Sequence, residues 1–199
     1  DCTGHGVPGA FMSMIGSRLL SEIVNEKKIF ETNEILEELN SGIKKALPLL
    51  GDEPFLLVNG DVWCDIDFNL LQASEQLKSL KKGERLAHLF LVENPPQNRQ
   101  GDFGLQKGLL HNDSADKLTY TGVGLYHPQL LDHCINGQVY ALAPILRSAI
   151  DANKISGEKH CGEWQDIGTP ERLTQLEEQL AEQLSHAEKK INGNGSQEY

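Results

Sequence analysis

Phe55-Leu56-Leu57-Val58-Asn59-Gly60-Asp61-Val62-Trp63 is the stretch that decides the fold. Four apolar residues, Phe55–Val58, make a run of the length expected for a strand buried on both faces. Asn59-Gly60-Asp61 then supplies a turn that stops it. In open α/β sheets, ligands collect just past the carboxyl ends of such strands. A carboxylate there, next to a glycine that lets a phosphate approach, is well sited to hold a hard cation such as Mg²⁺. The same pattern also suits an ordinary turn in which Asp61 is only a turn residue, and the spacing alone leaves both open.

Outward from this run, helical and strand-like segments alternate. Asp67 suits an N-cap, and residues 68–80 read as a helix with Leu70, Leu71, Leu77 and Leu80 inward, closed by Lys81, Lys82 and Gly83. Residues 87–92 read as a strand broken by Asn94-Pro95-Pro96, 101–105 as a strand or hairpin arm, and 118–126 as another strand. Gly122 and Gly124 inside the last mark either a ligand passing close or a bulge. Residues 128–134 read as a short helix and 142–152 as a longer one with Pro144 near its first turn. Residues 158–164 read as a strand running into Gln165-Asp166-Ile167-Gly168-Thr169. Thr169 then caps a last helix, with Pro170 at its first position and Leu173, Leu176, Leu180 and Leu184 on one face.

Upstream, Gly4, Gly6, Pro8 and Gly9 make a permissive turn before a helix carrying Phe11, Met14, Ile15, Leu19 and Ile23. A second helix spans about 33–47 and ends at Pro48.

Composition sets limits on function. The 199 residues allow one domain, or one domain and a piece, and 39% hydrophobic with 24% charged residues is globular. A net charge of −11 argues against a general nucleic-acid or anionic-membrane surface, while leaving room for a local phosphate pocket. Cys2, Cys64, Cys134 and Cys161 are scattered without a C-x-x-C spacing, which reads as reduced thiols in a cytoplasmic chain. No apolar run approaches the roughly 20 residues of a membrane span. The chain opens at Asp1, inside a motif and without methionine, so the start of a longer protein is expected to be missing.

FLLVNGDVWCDIDF resembles the metal-site strand of the sugar-phosphate nucleotidyltransferases. The likeness runs from about residue 46 to 178 and includes LPLLGDEPFLLVNGDVW, GDFGL, LTYTGVGLYHP, ALAPILRSAI, SGEKHCGEW and QDIGTPERL in family order. It is greatest to the uridylyltransferases that act on N-acetylmuramate 1-phosphate in peptidoglycan recycling. The resemblance implies that Asp61 and Asp166 hold Mg²⁺ and serve catalysis. It also implies that Asn59, Gly101, Asp102, Thr121, Gly122 and Glu158 lie on the sugar side. The partners implied are a sugar 1-phosphate and a nucleoside triphosphate, attacked at its α-phosphorus with loss of pyrophosphate. Members of that family open with a glycine-rich loop containing an arginine, followed by a Pro-Lys pair. Neither stands in these 199 residues, so negligible transfer is expected.

DCTGHGVPGAFMSMIG resembles the Asp-x-x-Gly-His-Gly segment of SpoIIE-type serine phosphatases. That likeness covers about residues 1–46 and implies that Asp1 with Gly4 or Gly6 is the remnant of a Mn²⁺ or Mg²⁺ site. Gly42-Ile43-Lys44-Lys45-Ala46-Leu47 fits both families, so the chain reads as a chimera joined within that hexapeptide. The expected organisation is a phosphatase fragment of a loop and two helices at 1–46, a nucleotidyltransferase-like domain lacking its nucleotide-binding part at 47–184, and a frayed tail at 185–199. The expected fold class is α/β, an incomplete doubly wound, Rossmann-like sheet preceded by an α-helical fragment. The alternatives are a metal-dependent protein serine phosphatase and a non-enzymatic sugar-phosphate binding remnant. No nucleic-acid or membrane partner is expected, and the sequence does not set an oligomeric state.

Overall fold

The computed structural model describes residues 50–134 and 141–193. The phosphatase-like stretch 1–46, with Asp1, Gly4 and Gly6 and its two expected helices, and the whole of the proposed junction lie outside the described residues, as do residues 48–49, 135–140 and 194–199. The chain forms two compact units, one containing residues 66–161 and the run up to Gly60, the other Asp61–Asp65 together with the segment from Gly162 onward.

In the first unit, strands β1 (Phe55–Val58), β3 (Ala87–Val92), β4 (Phe103–Gln106), β5 (Leu109–His111), β6 (Lys117–Tyr126) and β7 (Ile155–Lys159) form one sheet. Their order is β1-β6-β3-β7-β5-β4, and β4 also pairs back to β6. The second unit holds the two-stranded ribbon β2 (Val62–Cys64) with β8 (Trp164–Asp166).

β3 is the spine. All six of its residues are buried, as the continuous run AHLFLV requires of a strand flanked on both sides. It pairs antiparallel to β6 and parallel to β7. Alternation sends Ala87, Leu89 and Leu91 into a core with Leu110, Tyr126, Leu146, Ile150 and Ile155, and leaves His88 and Phe90 on the opposite face. A fully buried Leu or Ile contributes roughly 1.5–3 kcal/mol, so this cluster dominates the unit's stability.

The expected α/β class holds, but the sheet is mixed, and a doubly wound arrangement is not what the described strands show. β3 with β7 is the parallel pair; β1, β4 and β5 are joined antiparallel to their neighbours. The parallel pair has a helix, α3 (Leu142–Asp151), in the chain between its strands, as a crossover demands, whereas β4 and β5 are a hairpin. Phe55–Val58 is also not buried on both faces. It is an edge strand among the described residues, half-buried and paired only to β6, with Val58 exposed.

Helix 68–80 is two helices, α1 (Phe68–Leu71) and α2 (Glu75–Lys81). Asp67 caps the first through a 2.9 Å bond from the Asn69 amide. Ser74 caps the second, its hydroxyl accepting from the Leu77 amide at 3.2 Å. A serine able to start a new helix competes with continuing the old one. The break turns Leu70 out to solvent, while Leu80 is fully buried. The expected strand 158–164 is likewise two strands in different units, β7 and β8, and Val62–Cys64 continues as a strand where only a turn was read. The last helix, α4 (Pro170–Gly193), starts where Thr169-Pro170 place it and runs on through Gly193.

Candidate functional site

The second unit brings together the two aspartates that the resemblance marks as metal ligands. Asp61 immediately precedes β2 and Asp166 ends β8. Antiparallel pairing aligns Val62 with Asp166, so the two carboxylates leave the ribbon at one end. The Ile167 amide donates to the Asp61 carbonyl at 2.8 Å, fastening the two chain segments just beyond the ribbon. A Cβ on Gly168 would sit 3.1 Å from Asp166 Oδ1 and 3.4 Å from Asp61 Oδ2, so both carboxylates crowd the same side of that glycine.

Asp166 is held from two directions. Its Oδ1 accepts from the Gly168 amide at 2.9 Å, and its Oδ2 accepts from Arg172 Nη1 at 2.6 Å. Arg172 and Thr169 belong to the start of α4, where Thr169 Oγ1 accepts from the Arg172 amide at 3.4 Å. Hydrogen bonds at this helix start, from its own backbone and from Thr169, hold the Glu171 carboxyl below its usual range.

This arrangement suits a divalent cation. Two hard carboxylate oxygens lie within 3.1–3.4 Å of the point a Gly168 Cβ would take, and Gly168 has no side chain to occupy it. Mg²⁺ is commonly held by one or two carboxylates, with water and substrate phosphates completing the shell. Among the described residues no group of three or more His, Cys, Asp or Glu side chains is placed to hold a metal.

In the first unit, Asn59 and Gly122 meet. The Asn59 amide donates to the Gly122 carbonyl at 2.9 Å, and the Asn59 side chain lies 2.7–3.0 Å from where a Gly122 Cβ would stand. Gly122 has φ +80°, which an L side chain adopts only with strain. It sits where the β3–β6 register slips between Leu89 and Leu91. Thr121, next to it, is buried, its hydroxyl donating to the Phe90 carbonyl at 2.8 Å and accepting from the Val123 amide at 3.1 Å. The glycines of β6 therefore mark a bulge and a close backbone approach together.

Gly101 has φ +64°, and a Cβ there would meet Asn94 Oδ1 at 2.7 Å and the Lys117 backbone at 2.8 Å. The Asp102 carboxylate accepts from the Tyr120 amide at 2.8 Å and from Asn98 Nδ2 at 3.2 Å. Thr121 and Asp102 thus spend these polar groups on the sheet, while Asn59, Gly101 and Gly122 shape its backbone.

Glu158, on β7, stands apart from these. Its Oε2 accepts from Gln76 Nε2 at 3.0 Å and lies 3.5 Å from His88 Nε2. His88 beside it holds the Glu158 carboxyl below its usual range, against the opposing effect of burial; Gln76 and the charge of His160 act in the same direction as His88.

Sequence reasoning missed Gly168, Arg172, His88 and Gln76. For the first two a signal existed: Gly168 and Arg172 follow Asp166 within one capped helix start. His88 sits in an apolar run whose register against β7 was not legible.

The fold is that of sugar nucleotidyltransferases. A candidate glucose-1-phosphate thymidylyltransferase from Bacillus anthracis, in complex with sucrose, superposes with TM-score 0.53 at 14% identity, covering 68% of this chain and 58% of that one. An apo UDP-glucose pyrophosphorylase gives 0.51 at 16% identity, covering 71% and 59%. HddC from Yersinia pseudotuberculosis complexed with GMP-PN gives 0.52 at 16%, covering 71% and 61%. In sequence, the chain is 46% identical over 143 residues to N-acetylmuramate alpha-1-phosphate uridylyltransferase of Neisseria meningitidis serogroup B. That alignment covers 70% of this chain and 61% of the relative, so the chain spans about three fifths of that protein's length. No protein-family model matches the chain. Among the described residues no helix is long and apolar enough to cross a membrane.

Proposed function

We propose that this chain carries the metal- and sugar-binding part of a uridylyltransferase that transfers a uridylyl group from UTP to N-acetylmuramate 1-phosphate. The observation that carries this is the 46% identity over 143 residues to a uridylyltransferase of that description. The convergence of Asp61 and Asp166 at one end of the β2–β8 ribbon supports it. The nucleotidyltransferase-like part is proposed to span residues 47–184.

Asp61 and Asp166 are the residues that would hold Mg²⁺, which when bound neutralises charge on the phosphates. Everything else assigned to this chain is alignment, the main source of rate in reactions of this type. The Gly168 amide and Arg172 fix the direction of the Asp166 carboxylate. Asn59, Gly101 and Gly122 shape the backbone beside which the sugar phosphate is proposed to lie, and Asp102 and Thr121 hold that backbone in place. Glu158 offers a carboxylate to a sugar hydroxyl. A glycine-rich loop with arginine and a Pro-Lys pair, which would cradle a triphosphate, is not in the sequence, so the 199 residues bind sugar phosphate and give negligible transfer by themselves.

Calorimetry with N-acetylmuramate 1-phosphate and Mg²⁺ should give saturable heat that weakens in Asp61→Asn. A chain giving no saturable heat overturns the assignment. Clear UDP-sugar formation from UTP, abolished by Asp61→Asn, would overturn the expectation of negligible transfer.

A further inference from the structure

His88 is 3% exposed, and among the described residues its Nε2 has no hydrogen-bond partner within ordinary range. The polar atom facing it is Glu158 Oε2, at 3.5 Å. The parallel register sets this up: His88 lies opposite Ser156 and Phe90 opposite Glu158, so all four side chains leave the β3–β7 pair on one face. Phe90 packs edge-on against the His88 ring at 5.4 Å between centroids, which fixes the imidazole plane. Ser156 Oγ lies 3.0 Å from His88 Nδ1 and 3.4 Å from the Ala87 carbonyl.

The tautomer follows from the carboxylate. A bare, buried Nε2 lone pair facing a carboxylate oxygen is repelled, so Nε2 carries a hydrogen. Ser156 accommodates this, because a hydroxyl either donates to Nδ1 or accepts from it. Glu158 Oε2 then accepts from the amide of Gln76 on α2 at 3.0 Å and faces the Nε2–H of His88 at 3.5 Å, just outside hydrogen-bond geometry. Oε1 receives none among the described residues, although the Glu158 side chain is 45% exposed.

We propose that His88 is a positioning residue for ligand recognition: with Gln76 it clamps Oε2 of Glu158, so that Oε1 is presented as the acceptor for a sugar hydroxyl. The proposal rests on the uridylyltransferase reading above and adds to it the residue that orients the sugar contact. An unclamped glutamate on a strand loses side-chain entropy when it binds; a clamped one has lost it already. The 3.5 Å separation leaves the clamp room to tighten when ligand draws on Oε1.

The test is calorimetric titration of the full chain with N-acetylmuramate 1-phosphate in Mg²⁺, alongside titration with Mg²⁺ alone. His88→Leu should weaken sugar-phosphate binding about tenfold, the loss of the hydrogen bond to a charged group that the clamp forms when ligand tightens it, and leave Mg²⁺ affinity unchanged. His88→Gln, whose amide reaches the Nε2 position, should restore binding to within about threefold of wild type. Equal binding by wild type and His88→Leu overturns the inference alone. Absence of saturable binding in the wild type overturns the uridylyltransferase reading and the inference with it. Should His88→Leu fail to melt cooperatively, two other measurements decide. Gln76→Ala removes the second clamp from a part-buried position and should weaken sugar-phosphate binding severalfold, and the ¹⁵N resonance of His88 Nε2 should move on saturation of the wild type. No change in either refutes the clamp.

Discussion

Substituting Gly168 by alanine probes the cation site without touching either carboxylate. The added methyl would stand 3.1 Å from Asp166 Oδ1 and 3.4 Å from Asp61 Oδ2. The first is a few tenths of an ångström too close and the second is ordinary contact, so Asp166 must give way slightly. Gly168 has no positive φ, so the backbone accepts the change. Overpacking by one methyl costs about 1 kcal/mol, and the fold should survive. The proposed metal site should fare worse, because the methyl stands within contact distance of both carboxylate oxygens. A tenfold loss of Mg²⁺ affinity corresponds to about 1.4 kcal/mol. At a Mg²⁺ concentration one hundred times the wild-type Kd, the ion adds about 2.7 kcal/mol to wild-type stability, and at ten times the variant's Kd only about 1.4 kcal/mol. Thermal unfolding of both chains with and without Mg²⁺ reads this difference directly. A Gly168→Ala chain that keeps the full wild-type increment would refute the placing of the cation between these carboxylates.

Leu89→Ala should destabilise the first unit by about 2–5 kcal/mol, since Leu89 is fully buried in the spine of the sheet; urea unfolding checks this, with a lower midpoint and an unchanged m-value expected. Gly122→Ala combines a left-handed backbone with crowding by Asn59, so a loss of about 1–3 kcal/mol is expected, part of it recovered in the double variant with Asn59→Ala; a denaturation series without recovery would contradict the contact. Glu158 has a folded-state pKa below its ordinary 4.5, caused first by His88, so its contribution is full above that pH and disappears as pH falls through the folded value. The stability gap between wild type and Glu158→Gln should therefore stay level from pH 7 to about 5 and close below it; a gap that closes between pH 7 and 5 would point elsewhere.

The run AHLFLV and the cap Thr169-Pro170 were legible because each is settled locally, by a run apolar but for His88 in one case and by capping chemistry in the other. The pairing of Asp61 with Asp166 was suggested by resemblance, but its geometric basis, a ribbon with Val62 opposite Asp166, was hidden. Three-residue strands carry too little periodicity to be seen. The break between α1 and α2 was missed because the leucine spacing continues through Ser74, while the cap that restarts the helix depends on one hydroxyl. That His88 stands beside Glu158 was not legible, because the β3–β7 register that brings them together joins strands distant in sequence and is a tertiary property.

That same separation has a consequence during synthesis. β3 leaves the ribosome with one flank to be covered by β6 and the other by β7. At about 5–20 residues per second, the interval between His88 and Ser156 lasts roughly 3–14 s. Through that interval Ala87–Val92, buried along its whole length in the finished sheet, has an open edge and no partner on its parallel side. Nascent chains stalled before β7 should engage chaperones and resist protease poorly, and release of the complete β7 should end both.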